Sequence, residues 1–131
     1  MGTTYLIDTN SAIYYLNELL PEKGMDFLER VLNESGSFLS VISKIELLGW
    51  QAPTVEALEQ IESFVDDSIV LPLDDRIVGK TIEIRRSLKI KLPDAVIVST
   101  ALVYDFTLLS RNDADFRRVP GLKYLNLFSD L

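Results

Sequence analysis

The segment Tyr5-Leu6-Ile7-Asp8-Thr9-Asn10-Ser11 sets the fold class of this chain. It begins with a run of apolar residues that is too short for a buried helix, and it passes at once into four polar residues. Asp, Thr, Asn and Ser are the residues that cap helix N-termini, so the segment predicts a buried strand that turns directly into a helix. We expect that helix to run from Ala12 to Leu20.

The same alternation continues to the end of the sequence. Short apolar runs predict four further strands, at 38–41, 69–71, 106–109 and 124–127. Between them lie stretches whose apolar residues recur at helical spacing. An alternation of strands and helices is typical of a parallel sheet that is covered by helices on both faces. We therefore predict an α/β fold, a three-layer α/β/α sandwich with a central parallel sheet, formed by residues 1–131 as a single domain.

Proline and serine residues indicate where several helices begin. Pro21 and Pro53 suit the first position of a helix, and Ser43 predicts an N-cap. Pro93 opens a stretch that is apolar nearly all round, which predicts a buried central helix. Residues 82–85 alternate as a strand would, but the wider spacing of apolar residues around them favours a helix.

The composition removes many kinds of chemistry. The chain has no cysteine and no histidine, which excludes disulfides, thiolate catalysis, His-ligated zinc and Ser-His-Asp triads. Its 13 basic and 20 acidic residues give a net charge of −7, whereas a module that binds nucleic acid only by neutralising phosphates is usually basic. Any reaction must therefore use carboxylates, hydroxyls, amides, lysines, arginines and an ion that they bind.

The N-terminal segment lacks the basic start and the long apolar core of a secretory signal. No stretch approaches the roughly 18 uncharged apolar residues that a transmembrane helix needs. We therefore expect a cytoplasmic protein that does not enter a membrane.

Three acidic residues are predicted to follow a strand or to open a helix. Asp8 follows the first strand, and the three polar residues after it are able to cap the next helix without it. Glu46 lies among apolar residues, although an exposed helix face next to Lys44 is an equal alternative. Asp94 precedes the predicted buried helix, where its structural alternative is to complement the helix dipole. Ligands bind at the carboxyl ends of the strands in such sheets, so these positions are candidates for a site.

The loop after the fourth predicted strand adds further polar groups. Asn112, Asp113 and Asp115 lie there, and turn chemistry alone would explain any one of them. Ser110 and Arg111 flank the same edge and can contact a phosphate. Carboxylates that converge raise one another's pKa, and a hard divalent cation relieves this repulsion. Oxygen ligands favour Mg²⁺, with Mn²⁺ as a substitute, and such a site suits phosphodiester hydrolysis.

Four segments in chain order carry a resemblance to a known family. They are Tyr5-Leu6-Ile7-Asp8-Thr9-Asn10, Ser43-Lys44-Ile45-Glu46-Leu47, Leu92-Pro93-Asp94-Ala95-Val96-Ile97-Val98-Ser99-Thr100-Ala101 and Leu109-Ser110-Arg111-Asn112-Asp113-Ala114-Asp115-Phe116. They resemble, in turn, the strand ending in Asp-Thr-Asn, the hydroxyl-x-x-Glu-Leu helix, the Asp-Ala segment and the closing Thr-Arg-Asn/Asp-x-x-Asp-Phe loop of PIN-domain ribonucleases. Within that family the chain is most similar to the VapC toxins of type II toxin–antitoxin systems. No segment is specific alone, but all four occur in order along essentially the whole chain.

The resemblance implies that Asp8 and Asp94 are the principal ligands of Mg²⁺ and that Glu46 is a third acid, bound directly or through water. The fourth acidic position departs from the pattern, because the family often has Asp where Asn112 stands. Asn112, Asp113 and Asp115 therefore stay open for that role, and the loop pattern favours Asp115. The predicted catalytic residues are Asp8, Glu46, Asp94 and Asp115, and the predicted substrate-binding residues are Asn10, Ser43, Ser110, Arg111 and Asn112.

The resemblance further implies an endoribonuclease toxin that cuts RNA, binds a VapB-like antitoxin and forms a homodimer. One alternative is a catalytically degenerate PIN-fold interaction module, which the uncharged Asn112 keeps open. Another is a phospho-acceptor domain similar to response regulators. The sequence disfavours it because Asp8 has no acidic neighbour and no lysine follows Leu109.

Overall fold

The computed structural model of the protein describes residues 2–131. In this part of the chain strands and helices alternate, as predicted. The strands are β1 (Tyr5–Ile7), β2 (Phe38–Ser40), β3 (Ile69–Leu71), β4 (Thr107–Leu109) and β5 (Tyr124–Leu125). The helices are α1 (Thr9–Leu16), α2 (Glu22–Glu34), α3 (Val41–Leu48), α4 (Val55–Asp66), α5 (Asp75–Ser87), α6 (Leu92–Tyr104) and α7 (Asp113–Phe116).

The strands form one parallel sheet in the order β3-β2-β1-β4-β5. Leu6 of β1 is in register with Phe38 on one side and with Leu108 on the other. The chain first builds the sheet outward from β1 to β3 and then returns to add β4 on the opposite side of β1. The strand order therefore reverses between β1 and β4, and that is where ligands bind in open parallel sheets.

Two apolar cores lie on opposite faces of the sheet and confirm the predicted three-layer sandwich. Successive residues of a strand point to opposite faces, so Leu6 joins one core and Ile7 joins the other. The Leu6 core contains residues of α5 and α6, and the Ile7 core contains residues of α1, α2 and α4. Both side chains are fully buried.

The predicted buried helix is confirmed in α6. Residues 95–101 are all buried, which leaves this helix no solvent face over two turns. The ambiguous residues 82–85 are helical within α5, as predicted. Among residues 2–131, no helix is both long enough and apolar enough to cross a bilayer.

Several predicted boundaries were wrong because side-chain caps replaced the expected ones. Helix α1 begins at Thr9 rather than at Ala12, because the Asp8 carboxylate accepts the Thr9 N–H and caps the helix itself. It ends at Leu16, four residues before the predicted Leu20. The expectation that the residues after Asp8 would take over this capping was therefore wrong. Ser40 rather than Ser43 caps α3, since its hydroxyl accepts the N–H two residues later.

The proline predictions were approximate. Pro21 lies just outside α2 as its N-cap residue, and Thr54 rather than Pro53 caps α4. The loop after β4 is partly helical, because the Asn112 side chain caps the short helix α7. The last strand, β5, is also shorter than the predicted strand at 124–127.

Candidate active site

A cleft of about 520 Å³ lies at the point where the strand order reverses. The segments that follow β1 and β4 form its floor, α3 and the start of α6 form one side, and α1 contributes an apolar wall. The acidic lining residues are Asp8, Glu46 and Asp94, the other polar ones are Thr9, Asn10, Ser110, Arg111 and Asn112, and the apolar ones are Ile13, Tyr14 and Trp50. Three of the four segments predicted to carry chemistry thus contribute a carboxylate to one cleft, and the fourth contributes polar side chains.

Asp8 is a buried lining residue of this cleft and is held by three hydrogen bonds. Its backbone N–H donates to the carbonyl of Leu109, which ties the end of β1 to the end of β4. One carboxylate oxygen accepts the Thr9 N–H at 2.8 Å and the other accepts the Ser110 hydroxyl at 2.7 Å. The residue is only 7% exposed.

The pKa of the Asp8 carboxyl is raised from 3.8 to about 6, chiefly by burial. The hydrogen bonds from Ser110 and Thr9 lower it, and the negative charges of Asp94 and Glu46 contribute to the rise. The carboxylate is therefore held in place by neutral donors, and within residues 2–131 it forms no salt bridge. A buried carboxylate in this state favours a proton or a cation.

Glu46 reaches the cleft from α3 and is exposed, as in the structural alternative raised by the sequence. The Thr9 hydroxyl donates to its Oε1 at 2.6 Å, and Thr9 is itself hydrogen-bonded to Ser43 at 3.0 Å. Ser43 is fully buried and does not line the cleft, so it contacts the site through Thr9. Thr9 was predicted only as a possible helix cap, and its contact with Glu46, which lies 37 residues away, was missed.

Asp94 lies in the first turn of α6 and is half-buried. Burial raises the pKa of its carboxyl, the negative charges of Glu46 and Asp115 add to the effect, and Lys91 opposes it. The negative charge of Glu46 therefore raises the pKa of both Asp8 and Asp94. The three carboxylates of the cleft repel one another.

The segment after β4 organises the opposite rim. Ser110 is buried, and its hydroxyl donates to Asp8 while accepting the backbone N–H of Asn112 at 3.1 Å. Asn112 lines the cleft and caps α7, where its side chain donates to Asp115 at 3.1 Å and accepts the Asp115 N–H at 3.4 Å. Asn10 is exposed on the other rim, at the start of α1.

The structure separates the residues left open for the fourth acidic position. Asp113 faces away from the cleft, where it accepts hydrogen bonds from Tyr124 and Asn126, and these bonds lower the pKa of its carboxyl. Asp115 does not line the cleft, but its charge raises the pKa of Asp94. It lies 3.4 Å from the Arg118 guanidinium, so part of its charge is already compensated. The catalytic role of Asp115 stays a prediction.

Trp50 follows α3 and is partly buried, with one part packed against the core. It also lines the apolar side of the cleft together with Ile13 and Tyr14. No sequence pattern indicated this second surface, because the position of Trp50 beside the cleft depends on how α3 packs.

Comparisons with known proteins agree with this architecture. The chain resembles the DNA-bound VapBC structure from Salmonella typhimurium, with a TM-score of 0.80 and 24% identity over 96% of this chain and 99% of that one. It resembles VapBC2 from Rickettsia felis bound to a promoter DNA fragment, with a TM-score of 0.78 and 22% identity over 93% and 97% of the two chains. FitAcB from Neisseria gonorrhoeae matches with a TM-score of 0.73 and 21% identity over 95% and 99%. No curated protein matches the chain.

At these identities the structural matches establish a shared fold. The sequence itself matches the PIN domain family over residues 5–122, nearly its whole length. That match includes every segment from which the resemblance was inferred. This chain belongs to the PIN domain family.

Proposed function

We propose that the protein is a Mg²⁺-dependent endoribonuclease of the VapC type, which hydrolyses RNA phosphodiester bonds in the cytoplasm. The observation that carries the proposal is the buried carboxylate of Asp8, which has no cationic partner within residues 2–131 and shares a cleft with Glu46 and Asp94. Among residues 2–131, none of these three acids forms a salt bridge. Uncompensated carboxylates at the carboxyl edge of a parallel sheet suit a hard cation and a phosphate substrate.

The donor set fits Mg²⁺ rather than a softer metal, since it consists of oxygen atoms alone. In residues 2–131 no three acidic side chains are close enough to form a ready-made metal cage. The proposed ion does not need such a cage, because Mg²⁺ is usually bound through one or two carboxylates and several water molecules. Asp8 and Asp94 would hold the ion, Glu46 and Asp115 would act through water, and Mn²⁺ would substitute. When bound, the ion would supply an activated water and neutralise charge that develops on the phosphate.

The protein's own groups position and neutralise the reactants. Ser110 orients the Asp8 carboxylate, and Thr9 orients that of Glu46. Glu46 is exposed at the mouth of the cleft and can accept a proton from an attacking water. Arg111 and the side-chain amides of Asn10 and Asn112 lie on the rims, where a phosphate backbone would pass.

Cleavage of total RNA by the purified protein tests the proposal. We expect cleavage with Mg²⁺ or Mn²⁺, none with EDTA, and a loss of about 10²-fold or more in Asp8→Asn, the scale of losing a key electrostatic element. Asp26→Asn removes the same charge from an exposed position of α2 and serves as the matched control. Cleavage that survives both EDTA and Asp8→Asn would overturn the proposal.

The second candidate is a degenerate interaction module that keeps the fold without the metal. Asn112 favours it, because this residue contributes no charge to the cleft rim. Calorimetric titration with Mn²⁺ separates the two, since a degenerate site would bind no ion. Heat of binding that disappears in Asp94→Asn would favour the nuclease.

We also propose a VapB-like antitoxin as partner. A second groove of about 710 Å³ lies between α1, α2 and α4. Its acidic lining residues are Glu18, Glu29, Glu56, Glu59 and Asp67, and its apolar ones include Tyr15, Leu16, Met25 and Phe64. An amphipathic helix with basic residues beside its apolar face would match both properties.

A small protein encoded beside this gene, co-expressed with it, is the test of the partner. We expect the two to co-purify, and we expect Glu56→Lys with Glu59→Lys to weaken the complex by reversing charge in the groove. Glu83→Lys, on α5, is the matched control. Co-purification that is unchanged by the groove substitutions would refute this binding site. Sedimentation of the free protein tests the proposed homodimer.

A further inference from the structure

Arg111 lies on the rim of the cleft with its guanidinium stacked on aromatic rings. Its Cζ is 3.8 Å from the centroid of the Phe128 ring and 5.6 Å from that of Tyr14. The two rings contact each other edge to face, with centroids 5.1 Å apart. Together they form a corner, defined here as the aromatic corner of Tyr14 and Phe128, into which the guanidinium fits.

The charge of Arg111 is not used in an ion pair. Within residues 2–131 no salt bridge involves Arg111, although it lines the same cleft as three carboxylates. Its neighbours along the chain behave differently, since Arg117 pairs with Asp130 at 2.7 Å and Arg118 lies 3.4 Å from Asp115. An exposed arginine beside uncompensated carboxylates is attracted to them, so a competing contact must hold it on the rim.

The aromatic corner supplies that contact. A guanidinium that lies over a ring gains cation–π and stacking energy through its planar face. Its N–H groups point outward along its edge, so stacking leaves the hydrogen-bonding fork free to bind a phosphate in a bidentate manner. A direct pair with Asp8 or Glu46 would instead use that fork and neutralise the acids that the proposed ion needs.

Phe128 is itself fixed by the turn that follows β5. Its backbone N–H donates to the Asn126 side chain at 2.8 Å, and the Asn126 N–H donates to Asp130 at 2.8 Å. The preceding Leu127 is buried and packs directly on Gly24 of α2, where a Cβ would lie 2.5 Å from the Leu127 carbonyl oxygen. The ring therefore rests on a C-terminal segment that is held on both sides.

We propose that Phe128, supported by Tyr14, is a positioning residue that keeps Arg111 away from the carboxylates and available to bind a backbone phosphate of single-stranded RNA. The inference rests on the proposed nuclease function and extends it to a residue outside the four motif segments. Phe128 would contact neither the RNA nor the reacting atoms and would act only through Arg111.

The test measures RNA binding without cleavage, in the Asp94→Asn background, with a short fluorescein-labelled single-stranded RNA of mixed sequence. Anisotropy titrations at several salt concentrations give both the affinity and its salt dependence. We expect Arg111→Gln to weaken binding about five- to tenfold and to reduce the slope of log K against log salt by about 0.7, the loss of one phosphate contact on a single strand.

Phe128→Leu is expected to reproduce both effects although it removes no charge. The double variant should bind no worse than either single variant, because the two residues act as one unit. Phe128→Tyr keeps the ring and should restore wild-type affinity and slope. Arg30→Gln is the matched control, since Arg30 lies 5.4 Å from the Phe27 ring on α2 and does not line the cleft.

Two outcomes overturn the inference while the nuclease stands. One is a Phe128→Leu variant that folds, as judged by its melting temperature, and keeps the wild-type salt slope. The other is additive losses in the double variant. In the cleaving protein, Phe128→Leu should raise KM more than it lowers kcat, and the reverse would also count against positioning. If the wild-type protein fails to cleave RNA with Mg²⁺, the proposed function itself is refuted, and that result does not depend on Phe128.

Discussion

Replacing Asp8 by asparagine is expected to stabilise the metal-free protein, although it should lower the proposed ribonuclease activity about 10²-fold or more. The side chain is 7% exposed, and burial raises the pKa of its carboxyl from 3.8 to about 6. Each pKa unit corresponds to about 1.36 kcal/mol between the two protonation states, so the ionised carboxylate lowers the free energy of unfolding by about 3 kcal/mol. Asparagine has a similar shape and carries no charge.

Part of this gain is lost through hydrogen bonding. The asparagine oxygen can accept the Thr9 N–H as Asp8 does, but its amide would have to donate to the Ser110 hydroxyl, which now donates to Asp8. Rearranging that bond costs about 1 kcal/mol, which leaves a net gain of about 2 kcal/mol. For a chain of this length that corresponds to a rise in Tm of about 7 °C.

The pH dependence identifies the cause. Below pH 3.8 Asp8 is protonated in both the folded and the unfolded state, so the charge penalty is absent. The penalty develops as the pH rises from 3.8 to about 6, because the unfolded carboxyl ionises in this range while the folded one keeps its proton, and it is fully present above about 6. The Tm difference between Asp8→Asn and wild type should therefore be largest near neutral pH and should shrink on acidification.

Thermal melts followed by circular dichroism in EDTA, from about pH 4.5 to about pH 7.5, are the assay. Asp26→Asn, exposed on α2, corrects for the change in net charge. Saturating Mg²⁺ should then stabilise the wild type and not Asp8→Asn, by about 2.7 kcal/mol at 100 times Kd. If Asp8→Asn melts no higher than Asp26→Asn near neutral pH, or if the Tm difference does not depend on pH, then the buried Asp8 charge does not destabilise the folded protein.

Three further predictions test packing and hydrogen bonding. Gly24→Ala should lower the free energy of unfolding by about 1–3 kcal/mol, because its Cβ would lie 2.5 Å from the Leu127 carbonyl oxygen. The Cβ of Gly79→Ala would meet nothing within 4 Å, so this substitution should raise the free energy of unfolding by about 0.5–1 kcal/mol. Urea denaturation of the two variants measures both changes. Ser99→Ala should raise the melting temperature by a few degrees, since the Ser99 hydroxyl is buried without a hydrogen-bond partner in residues 2–131, and a fall would show a hidden partner. Thr9→Val should lower kcat about tenfold through loss of the hydroxyl that orients the third acid, while Thr9→Ser keeps it, and equal rates in the two variants would contradict this role.

The parts of the fold that the sequence predicted correctly depend on local signals. A short apolar run followed by capping residues is visible at Tyr5 to Ser11, and the all-round apolar character of α6 is a property of adjacent residues. The prediction that Ser43 caps α3 was wrong, because the helix begins earlier than local propensity indicates and Ser40 caps it. Val41 and Ile42 favour a strand by propensity, but tertiary packing places them in the first turn of α3.

The contacts of the site are mostly non-local and were not predictable in the same way. Thr9 and Glu46 are 37 residues apart, and Ser110 lies 102 residues from the carboxylate to which it donates. The topology places the ends of β1 and β4 together, so the convergence of acids followed from the predicted sheet. The pairing of each hydroxyl with its carboxylate depends on side-chain geometry, and the spacing of apolar residues in the sequence carries no information about it.

Asp8 shows why the structural and functional interpretations of one residue need not compete. An N-cap and a metal ligand were alternatives for this residue, and the structure shows the N-cap: one carboxylate oxygen accepts the Thr9 N–H of α1, and the other accepts the Ser110 hydroxyl. Such neutral donors fix the orientation of the group without cancelling its charge, and each carboxylate oxygen has a second lone pair for a further ligand. Capping is therefore compatible with the proposed cation, whose binding would offset the cost of burying Asp8 and its repulsion with Asp94 and Glu46.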